Sequence, residues 1–432
     1  MAAPAAPVTL DDTTREIDRH CRPVLAVWEL TLRCDQACRH CGSRAGRARP
    51  DELSTAQALQ LVEQLAQLGT QEVTLIGGEA YLRDDWLDIA RAIRLAGMDL
   101  TMVTGGRGLS AQRAEALREL DITNVSVSVD GHEPVHDALR GVRGSWRAAL
   151  DAIAHLRAVG IAPSANTQIC RPNLTGLEGM LVTLLDAGIQ SWQVMLTVPM
   201  GRAADDPTLI LEPFQMIEVM PMVVRAQRVL QARGGRLWPG NNLGYFGPHE
   251  HLLRGSMPRG HMAPCGAGRT ALGIEADGTV KGCPSLPTQA YAGGNVKTHT
   301  LQDIWERAPA LRITRGHTRP DLWGYCAGCY YADHCRAGCT WTSHVVLGRA
   351  GNNPFCHHRS LEYLQQGVRE RLRHVTPASG VPFDHGRFES FLEPWPPDEL
   401  QRARELVATG EGWLLHTQRA HDRAPVPGPS QQ

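Results

Sequence analysis

Six times between Val24 and Leu196 a short apolar run is followed by a stretch with apolar residues at helical spacing, the pattern of βα units feeding a parallel sheet. Strands are expected at residues 25–32, 72–76, 99–103, 124–129, 162–169 and 191–196. Helices are expected between them at 54–68, 84–95, 110–120, 145–159 and 174–187. Ser54 and Ser110 are the N-caps, because a serine oxygen at a helix start accepts a backbone N–H that would otherwise be orphaned. Six such repeats predict an α/β fold, a partial (β/α)6 barrel with its chemistry at the C-terminal ends of the strands.

The 432 residues are enough for this domain and a second, smaller one. After a helix at 212–233 the βα rhythm stops in a Gly/Pro-rich stretch, which sets the expected divisions. These are an N-terminal extension at 1–23, the barrel at 24–233, a bridge at 234–264, a Cys-rich domain at 265–360, and a C-terminal helix with a partly disordered tail at 361–432. The closing helices are expected at 361–373 and 398–408, with disorder past Arg423. Formal charge is −1, from 44 basic and 45 acidic residues, so no global field favours nucleic acid or an anionic membrane. No run reaches the ~20 apolar residues of a membrane span, and 1–11 has neither a basic start nor an apolar signal core. A cytoplasmic protein is expected, in which the 12 cysteines are better read as metal ligands than as disulfides.

Cys34, Cys38 and Cys41 follow the first strand directly as C-x3-C-x2-C. Three thiolates on one loop can hold three irons of a [4Fe–4S] cube and leave the fourth open. Zinc would normally recruit a fourth ligand for a closed tetrahedron, and His40, wedged between the cysteines, is poorly placed to supply it. Seven more cysteines follow: Cys265, Cys283, then Cys326-x2-Cys329-x5-Cys335-x3-Cys339, and Cys356. A zinc ribbon would explain Cys326 to Cys339 alone, but not Cys265, Cys283 and Cys356. Cys21 and Cys170 have no partner at ligand spacing.

The first motif, at the end of a first barrel strand, resembles that of the radical S-adenosylmethionine superfamily. The resemblance implies that the open iron binds S-adenosylmethionine, which an electron from the cluster cleaves to methionine and a 5′-deoxyadenosyl radical. Gly77-Gly78-Glu79 resembles the family's segment for the methionine amino group, and Ser128 and Asp130 its ribose-contacting Ser-x-Asp-Gly. Arg140 stands where many relatives place an arginine near the methionine carboxylate. His40 replaces the aromatic residue usual beside the adenine. Asn166 and Met195 are expected to face the barrel mouth, and Gly201-Arg202-Ala203 resembles a recurrent segment of no assigned chemistry.

The later cysteines resemble the SPASM extension of radical enzymes that modify peptides and proteins. In such relatives Cys326, Cys329, Cys335 and Cys356 would hold one auxiliary [4Fe–4S] cluster, and Cys265, Cys283 and Cys339 another, one ligand short. His261, a neighbouring carboxylate or a substrate would complete it. The resemblance implies a maturase that abstracts hydrogen from a ribosomal peptide or protein to install a cross-link or oxidation, supplied with electrons by an external one-electron reductant. A small-molecule substrate is one alternative. Sulfatase maturation is another, weakened because Pro284 stands where that branch carries an Asp base.

Residues 238–248 resemble a segment of a maturase subgroup associated with peptides bearing a Gly-Asp-Leu motif, which makes Tyr245, Phe246, His249 and Glu250 candidate substrate contacts. Only 33 residues precede Cys34, too few for the leader-recognition domain of some relatives, so a separate protein or the tail, through Trp395 and Trp413, is expected to serve.

Overall fold

The computed structural model describes residues 9–244, 246–255 and 265–409. The expected strands form β1 (Leu25–Glu29), β2 (Glu72–Ile76), β3 (Asp99–Thr104), β4 (Asn124–Ser128), β5 (Pro163–Ile169) and β6 (Ser191–Leu196). They pair in parallel and in chain order. Helices Thr55–Gln67 and Ala111–Glu119 begin after Ser54 and Ser110, whose side chains accept from the amides of Gln57 and Arg113. Their apolar faces bury Leu61, Leu65 and Leu117 against the sheet.

The sheet runs past the barrel at both edges. On one side β7 (Arg236–Pro239) adds parallel to β6, so the βα rhythm continues into the expected bridge. Its four residues, ending in Pro239-Gly240, are too short to show a period. On the other side β8 (Ala271–Ile274) pairs parallel to β1, and β9 (Thr279–Lys281) and β10 (Gly294–Asn295) follow antiparallel. One ten-stranded sheet thus contains the first half of the Cys-rich segment. Cys265 and Cys283 are thereby fixed beside the strand that leads to Cys34.

Helix Met216–Ala232, buried along most of its length, closes the far side of the barrel. Residues Pro207–Ala232 are long and apolar enough to cross a membrane, but 72% of the 18-residue apolar window within them lies inside the protein.

The C-terminal region departs from expectation. The helix is His357–Gln365 and stops at Gly367, whose φ of 72° a side chain would resist. The rest of the expected 361–373 helix is β11 (Val368–Thr376), paired with β12 (Arg387–Pro394) in a separate hairpin. Residues 368–373 alternate apolar or acidic side chains with Arg369, Arg371 and Arg373, a period of two that the helix propensity of arginine conceals. Helix Pro397–Thr409 follows, as expected. The segment past Arg423 lies outside the described residues.

Candidate active site

Cys34, Cys38 and Cys41 sit on the loop after β1, and main-chain contacts fix that loop on every side. The Gly78 amide donates to Thr31 O and the Glu79 amide to Arg33 O, both at 2.8 Å. A Cβ on Gly77 would meet Thr31 O at 2.3 Å and one on Gly78 would meet Arg33 O at 2.0 Å. The Gly-Gly pair therefore lets the cysteine loop lie directly on the end of β2. From the other side the amides of Ala37 and Arg39 donate to Arg140 O and Leu139 O, at 3.1 and 2.8 Å. Arg202 donates to Cys38 O and Ala45 O, at 2.7 and 3.0 Å. The Cys34 thiol is pushed up to about 12 by burial, with further rises from Glu79, Cys38 and Cys41. Three thiols on one loop, Cys38 buried and Cys34 and Cys41 half-buried, suit a bound metal centre, which would compensate their negative charge.

The loop lines a cavity of about 260 Å³ at the barrel mouth. Gly77, Gly78, Glu79, Ser128, Arg140, His40 and Met195 line it as well. Glu79 accepts from the Gly105 amide at 2.6 Å and the Thr104 hydroxyl at 2.7 Å, and burial raises it to about 7. Asp130 is fully buried behind this surface and is not among the lining residues. Its carboxylate pairs with Arg140 at 2.6 Å and approaches His40 Nε2 at 3.3 Å, while Arg140 reaches Cys38 Sγ at 3.7 Å. Burial holds His40 near 4, so it stands neutral beside that carboxylate. Asn166 is not among the lining residues either, and its Oδ1 is buried without a hydrogen-bond partner.

The remaining cysteines gather in two further nests. Burial and then Cys265 raise Cys283 to about 11, and burial with Cys265 and Cys283 raises Cys339 to about 12. Cys335 is pushed up by burial and by Cys356, Cys326 and Cys329, and Cys356 to about 12 by burial, Cys326 and Cys329. The thiols thus act on one another in groups of three, three and four. His261 lies outside the described residues. Cys170 is buried in the hydrophobic core, and Cys21 packs at its margin.

The described residues of the 238–248 segment and just beyond tie the two halves together without lining the cavity. The Asn242 amide completes the end of β6, bonding Leu196 N and O at 3.1 and 2.7 Å. Phe246 stacks on Tyr331 at 4.7 Å, His249 on His357 at 6.0 Å, and Glu250 pairs with the buried Arg254 at 2.8 Å. Trp395 is buried against Phe214 and so is part of the core, not a surface anchor. Tyr245 and Trp413 lie outside the described residues.

Sequence reasoning missed most of the far wall. Glu29, Gln168, Met200, Pro284, Ser285, Trp341 and Phe383 line it. Glu29 carried a signal: a charged residue inside an apolar strand run is expensive unless used or paired. It is held by Arg49 at 3.1 Å, which also pairs with Glu275 at 2.9 Å, and Glu275 pairs with the fully buried Lys281 at 2.8 Å.

Comparison with known proteins identifies this arrangement. Residues 28–178 match the model of the radical SAM superfamily, and residues 265–330 that of the SPASM iron–sulfur cluster-binding domain. The mycofactocin maturase MftC of Mycobacterium ulcerans is 30% identical over 324 residues, covering 73% of this chain and 83% of that protein. The chain belongs to the radical SAM superfamily. The AdoMet-dependent heme synthase of Oleidesulfovibrio alaskensis is 26% identical over 378 residues, covering 82% of this chain and 92% of that protein. In fold, the chain resembles Streptococcus suis SuiB with bound S-adenosylmethionine, at 17% identity and a TM-score of 0.59, with 76% of each chain covered. It also resembles anSMEcpe with bound AdoMet, at 15% identity and a TM-score of 0.62, covering 79% of this chain and 96% of that one. This radical SAM enzyme carries a [4Fe–4S] cluster that binds S-adenosylmethionine, and auxiliary clusters in its SPASM domain.

Proposed function

We propose that this radical SAM enzyme is a peptide or protein maturase in which Cys34, Cys38 and Cys41 hold the radical-generating cluster. Cys326, Cys329, Cys335 and Cys356 hold one auxiliary cluster, and Cys265, Cys283 and Cys339 the other. The observation that carries this reading is that Cys34, Cys38 and Cys41 line one cavity together with Gly77, Gly78, Glu79 and Arg140. Bound there, S-adenosylmethionine and its cluster supply a carbon radical able to take hydrogen from an unactivated C–H bond. The chain's own groups orient and shield it. Glu79 and Ser128 line the cavity, and Arg140 offers a cation beside Cys38 that suits a carboxylate. Asp130 holds Arg140 in place from behind.

The peptide class rests on the mycofactocin maturase relatives and the SPASM segment. The structure of SuiB with its precursor peptide supplies a precedent for the same fold. Pro284 lines the cavity where a sulfatase-type base would be expected, which favours a different oxidation. A separate leader-binding protein, an external one-electron reductant and a cytoplasmic location complete the proposal. The heme synthase relatives favour a second reading, a tetrapyrrole substrate.

The test is anaerobic reconstitution, iron and sulfide counting, and 5′-deoxyadenosine release under reductant, with candidate precursor peptides and iron-free porphyrins offered in parallel. About twelve irons per chain are expected, with peptide-stimulated turnover that is lost when Cys34, Cys38 and Cys41 are all replaced by Ala. Stimulation by porphyrin alone would move the assignment to the second reading, and release from the triple-Ala protein would overturn the radical site.

A further inference from the structure

The tip of the β11–β12 hairpin lies outside both matched family segments, yet it forms part of the radical cavity. Phe383 lines that cavity with its ring 3.6 Å from Lys281 Nζ, and its amide donates to Gly42 O, next to Cys41, at 3.1 Å. Its φ is +58°, a left-handed conformation that a bulky side chain adopts only under constraint.

The constraint is visible. Arg44, on the cysteine loop and itself at φ +52°, donates to Asp384 at 2.9 and 3.3 Å, to Val381 O at 3.2 Å and to Gly201 O at 3.0 Å. Asp384 returns its main-chain carbonyl to the Gly201 amide at 2.8 Å, and His385 bridges to Met200. The Asp384 carboxylate also accepts from the amides of Gly380 and Val381, at 2.5 and 3.2 Å. The C-terminal hairpin is therefore clamped to the loop that carries Cys41, with Phe383 turned inward beside Trp341 and Met200.

We infer that Phe383 is a specificity-determining wall of the radical cavity, held by the Arg44–Asp384 clamp, which admits a hydrogen donor presented as an apolar group and excludes small polar ones. Strain is worth maintaining at that position only if the ring's placement matters. Trp341, Met200 and Phe383 together make that side of the cavity apolar. Closure of this kind protects a reactive intermediate from side reactions. The inference rests on the radical chemistry proposed above, but not on the identity of the peptide.

It is tested with the full reconstituted enzyme, S-adenosylmethionine and reductant, in perdeuterated glycerol and without other substrate. If glycerol reaches the radical, a carbon–deuterium bond of glycerol breaks, a carbon–deuterium bond forms at the 5′ carbon, and the unpaired electron stays on glycerol. Mass spectrometry reads the deuterated fraction of the 5′-deoxyadenosine formed, a ratio independent of turnover rate. Phe383→Ala should raise that fraction about threefold or more over the native enzyme by opening the cavity, and Phe383→Tyr should not. Asp384→Asn, which loosens the clamp and leaves the ring, should also raise it, and decides the matter if Phe383→Ala fails to load iron. Equal fractions in the native enzyme and the loosened variant would overturn the inference. Absence of 5′-deoxyadenosine from the native enzyme even when precursor peptides are added would overturn the radical reading itself, and this assignment with it.

Discussion

Arg202 donates from Nε to the Cys38 carbonyl at 2.7 Å, so a residue that follows β6 holds the middle of the cysteine loop that follows β1. Its Nη1 takes the Ala45 carbonyl at 3.0 Å, and a Cβ on the preceding Gly201 would meet Gly42 O at 2.3 Å. The two ends of the barrel sheet are thus joined through the cluster loop. Arg202→Ala removes two charge-assisted hydrogen bonds, each worth about 1.5–3 kcal/mol. Faster chelator bleaching of the first cluster is expected. Arg202→Lys should restore little, because one ammonium cannot reproduce the guanidinium's two-carbonyl span. Bleaching rates at matched iron content check both.

Asp130 is the buried counter-charge for Arg140, whose guanidinium lies between it and Cys38. Asp130→Asn keeps an acceptor for the Gln168 amide, now made at 2.9 Å, but leaves Arg140 charged, buried and unpaired. Breaking a buried pair from one side costs about 3–5 kcal/mol. A loss of unfolding free energy of that size is expected in denaturant titrations, together with weaker S-adenosylmethionine binding as Arg140 relaxes. Replacing Ser128, whose side chain has no ion-pair partner among the described residues, should weaken binding without the stability loss.

Glu29 carries a pH dependence whose sign follows from its burial. Burial raises it from 4.5 to about 7; Arg49 opposes the rise and Glu275 adds to it. The folded state therefore holds this proton more tightly than the unfolded chain does. The stability this contributes is fully present below about pH 4.5 and is lost as pH climbs through about 7. Glu29→Gln should flatten the fall in denaturation midpoint between pH 5 and pH 8. An unchanged slope in the variant would show that other groups set it.

The barrel was legible because each βα unit is local: a period of two gives way to a period of 3.6, and Ser54 and Ser110 mark helix starts. The ligand-type residues were legible because cysteine spacing is chemistry written along the chain. What remained hidden is what the chain assembles from distant segments. Nothing near Phe383 in sequence hints that it borders Gly42, and β8 finds β1 across 246 positions, from Leu25 to Ala271. Arg202 and Arg44 act on backbone carbonyls, which carry no sequence signature. The hairpin was misread because arginine serves a strand edge as readily as a helix surface, and only its register with β12 decides between them.

Gly78 gives the sharpest separation of the first cluster from the other two. Its Cα faces the Arg33 carbonyl so closely that an added Cβ would lie 2.0 Å from that oxygen and 2.8 Å from the Cys34 Cβ. Both partners belong to the loop that carries the ligands, and neither is the far end of a flexible side chain. Gly78→Ala must therefore push the Cys34 segment away from β2, against the Arg202 and Arg140 contacts that hold it from the opposite side. The nests at Cys265 and Cys326 lie on other segments and need not move. The expected result is loss of about four irons of about twelve, with 5′-deoxyadenosine release abolished and the auxiliary-cluster spectrum retained. A full iron complement with normal release would show that the loop can retreat and still hold its cluster, and that the Gly-Gly pair serves the ligand instead of the loop.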